Sequence, residues 1–296
     1  MHYAVLLGLF GWTAFRLIGL RNLDWSPQSR RNAGLIGAAI AAPLLSLTLM
    51  LVSIVSMMGV SISALDWPMI EAMIFGSTIG WAFLIRSGLL VTGLCVLLVL
   101  GANKAGLPIA AACFAGALLT LGWSGHAAAT EGGLGLFHRL NNGVHLLSAG
   151  LWLGAICWVL HLTREAHRQP DAVPAQSLLA VMHGFAPLGV GLVAIVALTG
   201  LINSQLIFGL ENSAEVLTTP YGVLLAAKVT LVGGMLAFGA YNARIGRWHA
   251  LANDGATAGS EIALSHLRRS LAAELTLAVS ITGLVAALGM ISPMMM

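Results

Sequence analysis

The chain has 296 residues, of which 58% are hydrophobic and 8% charged, with a formal net charge of +3 and a mean hydropathy of +0.90. A soluble domain carries roughly a quarter charged residues, so a water-soluble fold is excluded, and the charge is too small to mark a nucleic-acid binder. The composition is that of a polytopic membrane protein.

Apolar runs of about 20 residues predict eight helical spans, at 2–20, 33–58, 79–101, 107–127, 138–160, 180–207, 222–242 and 270–290. The runs lack the alternation of a membrane barrel. The expected fold class is therefore all-α, with residues 1–296 forming one transmembrane domain. Span 1 opens on His2, and its basic residues follow the apolar run, so it does not read as a cleavable signal. Span 2 contains Pro43, expected to kink it or border a cavity, and a stripe of Ser46, Met50, Ser53 and Met57 that reads as packing surface for the serines. It ends at Met57 and Met58, with Met69 and Met73 in the following connection. Arg86 in span 3 and Lys228 in span 7 lie one to two turns inside and are expected to snorkel outward.

The segment Ser124–Gly154, between spans 4 and 5, is the richest in chemistry because it holds His126, His138 and His145. Seven residues separate the last two, which puts both on one helix face about 10 Å apart. Asn141, Asn142, Ser148 and Trp152 share that stripe. Such a polar face inside a membrane looks into the bundle or a cavity. Span 6 carries Pro187, with Asn203 and Gln205 near its outer end, and span 8 carries Glu274. His161, His167, His249 and His266 sit in basic connections and read as solvated, and His183 opens span 6. Cys95, Cys113 and Cys157 lie singly in spans, with no CxxC pair. With no Walker loop in sight, no ATP-driven step and no enzymatic activity are expected of this chain.

Eleven of the fourteen Lys and Arg residues fall at the ends of, or in the connections after, spans 1, 3, 5 and 7. The positive-inside rule places those connections in the cytoplasm and both termini outside, in the periplasm. His2, His126, His138, His145, Met57, Met58 and the terminal Met290, Met294, Met295 and Met296 then share the outer side. Imidazoles and soft thioethers together favour copper, above all Cu(I), over zinc or iron. The chain also repeats: His2 and Gly11 match His145 and Gly154 at an offset of 143, Pro43 matches Pro187 at 144, and Gly80 and Arg86 match Gly222 and Lys228 at 142. Two four-helix halves, roughly 1–130 and 138–296, would form a parallel repeat with a pathway between them. His2 and His145 are then expected to pair.

SMMGVSISALDW, STIGWAFLIRSGLL, WSGHAAATEGGLGLFH, VHLLSAGLWLGA, TPYGVLLAAKVTLV and RRSLAAELTLAV, in that order, resemble the CopD/PcoD family of bacterial copper-resistance inner-membrane proteins. The resemblance runs nearly end to end. It implies an eight-helix protein that acts with a periplasmic copper-binding partner of the CopC type and moves copper toward the cytoplasm. Members often carry an acidic residue three positions before the histidine of the His-Leu-Leu motif, where this chain has Asn142. Losing that carboxylate weakens a hard or divalent-ion site more than a Cu(I) site. The expected copper ligands are His145, with His138, His126 and His2 as partners and Met57 or Met58 as soft donors. The alternative is an electron-transfer protein holding b-type haem between histidines of different helices.

Overall fold

The computed structural model describes residues 1–20, 33–124, 128, 130–168, 175–251 and 257–291, and every regular element among them is helical. The helices are α1 (His2–Ile18), α2 (Ala33–Met58), α3 (Trp67–Gly76), α4 (Thr78–Val99), α5 (Gly106–Leu119, continued by a 3-10 turn Thr120–Trp123), α6 (Gly132–Arg168), α7 (Ala175–Phe208), α8 (Ser213–Val216), α9 (Pro220–Leu251) and α10 (Thr257–Leu288). Seven helical segments among the described residues are long and apolar enough to cross a membrane. The first predicted span is the apolar helix α1, which at 17 residues falls outside that set. Its length of about 25 Å is a little less than the roughly 30 Å of bilayer hydrocarbon.

The four longest helices overrun their predicted spans. A backbone that satisfies its own hydrogen bonds in lipid gains nothing by unwinding at the interface, so α6 continues from Gly132 to Arg168. The short helices α3 and α8 lie in connections between predicted spans, too short to cross a bilayer. Asp66 starts α3 by accepting the Met69 amide at 2.9 Å, with Pro68 in its first turn. The second helices, α2 and α7, end alike: Gly59 and Gly209 follow them with φ of +66° and +74°, a conformation that costs glycine least.

Packing follows a plan that occurs twice. α1 packs on α2, α2 on α4, α4 on α5, and α5 returns to α1. α6 packs on α7, α7 on α9, α9 on α10, and α10 returns to α6. These two rings meet where α1 lies against α6. Small residues set that crossing, as membrane helices require where lipid offers no hydrophobic contrast. A β-carbon on Gly11 would stand 2.0 Å from the Gly150 carbonyl oxygen, and one on Gly154 would stand 2.0 Å from that of Gly11. Below the crossing, Trp12 and Trp158 stack with ring centres 4.2 Å apart, and the Trp158 indole donates to the Trp12 carbonyl at 2.7 Å. Leu6, Leu9 and Phe15 of α1 are fully buried between the rings.

The third helices begin alike as well. Ser77 accepts from the Gly80 amide at 3.0 Å, and Thr219 accepts from the Gly222 amide at 3.1 Å. Both glycines lie where a β-carbon would strike a carbonyl of the short helix before them: that of Ile74 for Gly80, and that of Val216 for Gly222.

Candidate metal centre at the histidine end

His2 and His145 open the two rings. Each stands on the first helix of its ring and reaches for a hydroxyl on the second. The Nε2 atom of buried His2 is 2.6 Å from Ser46 Oγ of α2. The Nδ1 atom of half-buried His145 is 2.9 Å from Thr199 Oγ1 of α7. A basic residue of each third helix acts electrostatically on that imidazole, Arg86 on His2 and Lys228 on His145. The sequence left Ser46 as packing surface and did not single out Thr199. Only the rotation of α2 and α7 about their axes, which no single sequence reveals, turns those hydroxyls toward histidines. Arg86 also departs from expectation. Its guanidinium is buried beside His2 and Tyr3 rather than snorkelled to the surface, and its Nε atom has no hydrogen-bond partner among the described residues.

Thr199 Oγ1 also lies 2.6 Å from the Ile195 carbonyl. With its one hydroxyl proton directed there, the threonine oxygen accepts from His145 Nδ1, and that tautomer carries a lone pair on Nε2, the form an imidazole needs to bind a metal. Asn141, one turn earlier on α6, donates to the Thr199 carbonyl and to Asn203 Oδ1, both at 2.9 Å, and so locks α6 to α7 at this level. Asn203 thus joins the polar seam of α6. Gln205 turns away and accepts the Leu210 amide at 2.9 Å. In the first ring the second nitrogen of His2, Nδ1, is buried with no hydrogen-bond partner among the described residues, a polar atom that calls for one.

The remaining candidates are placed as follows. His138 is buried, and its Nδ1 lies 3.0 Å from Thr130 Oγ1, in the segment preceding α6 rather than on α7. Despite sharing a helix face, His138 and His145 thus engage different neighbours. Arg139 folds back over the Trp123 ring. Met57 and Met58 are 60% and 40% exposed at the end of α2, while Met50 and Met73 are buried together with Ile54 and Phe83. Met290 is exposed. His126, Met294, Met295 and Met296 lie outside the described residues. Among the described residues, no three His, Cys, Asp or Glu side chains converge on a metal-sized site. What the fold provides instead is two imidazoles, each oriented by a hydroxyl from a neighbouring helix, an arrangement suited to sparse coordination.

A multi-pass helical membrane protein with an oriented imidazole in each of two helical rings is the class these features define. The chain belongs to the copper resistance protein D family. It is 32% identical to Copper resistance protein D of Pseudomonas syringae pv. tomato over 303 aligned residues, 99% of this chain and 94% of that protein. Residues 1–136 match the family model described as copper resistance protein D-like, N-terminal domain, and residues 179–288 match that of copper resistance protein D. It is also 32% identical to Copper transport protein CutJ of Bacillus subtilis (strain 168), over 43% of this chain and 22% of that protein. Inner membrane protein YebZ of Escherichia coli (strain K12) is 32% identical over 36% of this chain and 35% of that protein. No solved structure matches the chain.

Proposed function

We propose that this protein takes up copper on the periplasmic side of the bacterial inner membrane and passes it toward the cytoplasm. The observation that carries the reading is His145, whose Nδ1 is oriented by Thr199 of the neighbouring helix, in a chain akin to Copper resistance protein D over nearly its whole length. His145 is the central ligand. His2, His138 and His126 are its candidate partners, with Met57 and Met58 as soft donors near the entry. A cation beside each imidazole weakens resting occupancy by a metal ion, which suits a protein that hands its cargo on. A periplasmic copper-binding protein of the CopC type is the expected donor. The relatives named for copper support this reading over haem.

Eight spans, with α1 as the eighth, and both termini outside complete the proposal. Two recurrences support a parallel duplication of four-helix halves: the ring packing, and the matched Ser77–Gly80 and Thr219–Gly222 starts of the third helices. In such a duplication equivalent residues lie at equal depth, and Gly11 and Gly154, equivalent in sequence, touch. Reporter fusions after Gln169 and Ala252 are expected in the cytoplasm and one at Met296 in the periplasm. Copper binding by purified His145→Ala protein is the direct test. Wild-type affinity in a folded sample would overturn the ligand assignment, and the same protein supplies the comparison with His249→Ala, which is expected to bind normally.

A further inference from the structure

The second ring is not filled. A cavity of about 280 Å³ lies between α6, α7, α9 and α10, walled by apolar side chains that include Trp152, Met182, Phe185 and Leu271. Two polar side chains reach it, Asn242 of α9 and Glu274 of α10. Both are more than nine-tenths buried, at 5% and 2% exposure. Asn242 donates its amide to Glu274 Oε2 at 3.0 Å. The other oxygen of each, Asn242 Oδ1 and Glu274 Oε1, has no hydrogen-bond partner among the described residues. Glu274 lies near the middle of the apolar segment Ile262–Leu288, and the cavity occupies the half of the ring nearer the basic connections.

Energetics decide what this carboxyl is for. A carboxylate in an apolar cavity with one amide donor is strongly disfavoured relative to water. Among the described residues no basic side chain offsets it: the one ion pair is Arg168–Glu165, and Glu274 is the one titratable group lining the cavity. An apolar residue would pack there without that cost, so stability does not account for glutamate. With a proton on Oε1 the group is neutral and keeps the Asn242 bond through Oε2. Water entering the cavity takes that proton as a hydrated proton, leaves the carboxylate, and returns it in the reverse step. Buried ionisable groups in spans serve as such relays.

Resting on the transport reading above, we propose that Glu274 is a reversible proton-binding site and that copper movement through the protein is coupled to the gain and loss of its proton. The expected link is local. α6 carries His145 at one end and the cavity wall residues Trp152, Ala155, Ile156 and Val159 further along, so one helix joins the copper ligand to the proton site.

Two measurements on the full-length purified protein test it. In the first, a hydrophobic carbodiimide, which reacts with protonated carboxyls in apolar surroundings, is expected to modify Glu274 in a pH-dependent manner, read by peptide mass spectrometry. Glu274→Asp is expected to retain the modification and Glu274→Gln to lose it. No labelling of folded wild-type protein at any pH overturns the proton site, and protection by sodium at fixed pH reassigns it to a metal ion. In the second, proteoliposomes enclosing a pH dye are given copper. Wild-type protein is expected to change the internal pH as copper crosses. Glu274→Gln is expected to bind copper within twofold of wild type while its copper-driven pH change falls at least tenfold. Copper transport by the wild type with no pH change overturns the coupling. Absence of any wild-type copper transport overturns the transport reading, and the coupling with it, while the labelling still decides the proton site.

Discussion

The two helical rings share a plan and differ in what faces their open volume. In the first, Leu6, Leu9, Leu90, Phe114, Leu118 and Leu121 are fully buried in one continuous core, and the fourth span, Gly106–Trp123, contains no charged residue. A void of about 200 Å³ between α1 and α2 is lined there by Gly8, Leu9, Trp12, Gly34, Leu35 and Ala38, none of them titratable. In the second, the fourth span brings Glu274 to the wall of a cavity of about 280 Å³. Walls without a titratable group give a proton no place to bind, so the difference lies in the chemistry of the walls.

Six substitutions break or sharpen that contrast. Gly154→Leu strikes the contact both rings depend on and is expected to leave no monodisperse protein in size-exclusion chromatography, since the new side chain meets the Gly11 backbone. Phe114→Ala, in the buried core of the first ring, is expected to cost about 3–5 kcal/mol in thermal or denaturant unfolding. Phe185→Ala, half-buried at the cavity, is expected to cost less than half as much, and equal losses would erase the difference in packing. His145→Ala is expected to reduce copper affinity about 100-fold by equilibrium titration, and His2→Ala about tenfold, because His145 is half-buried and oriented while His2 is buried. The reverse ranking would move the work to the first ring. Thr199→Val, which removes the acceptor that orients His145, is expected to weaken copper binding about tenfold, at the low end of what loss of a ligand's outer partner brings.

Much of the scaffold was legible in the sequence, because lipid leaves a helix no alternative. The span predicted at 33–58 is α2, residue for residue, and the span at 79–101 is α4 to within two positions. Helix ends beyond the bilayer were not legible, since hydropathy reports where a helix meets lipid rather than where its hydrogen bonds stop. α9 therefore runs nine residues past its predicted end at 242. Histidine and glutamate stood out in an apolar chain, so His145 and Glu274 could be read as unusual. Their partners could not: Thr199, Ser46 and Asn242 are common residues whose meaning depends on which way a neighbouring helix is turned. The buried position of Arg86 was hidden for the same reason.

The Gly11–Gly154 contact has a mechanical consequence. Each glycine lies nine residues from the histidine that opens or lines its helix, His2 on one side and His145 on the other. Nine residues of helix make a lever of about 14 Å. With backbone touching backbone and no side chain interposed, the crossing is a pivot of the smallest radius two helices can form. A tilt of about 10° there carries an imidazole by roughly 2.4 Å along that lever, more than the length of a metal–nitrogen bond at about 2.0 Å. The stacked Trp12 and Trp158, just beyond the pivot, are the bearing against which such a tilt turns.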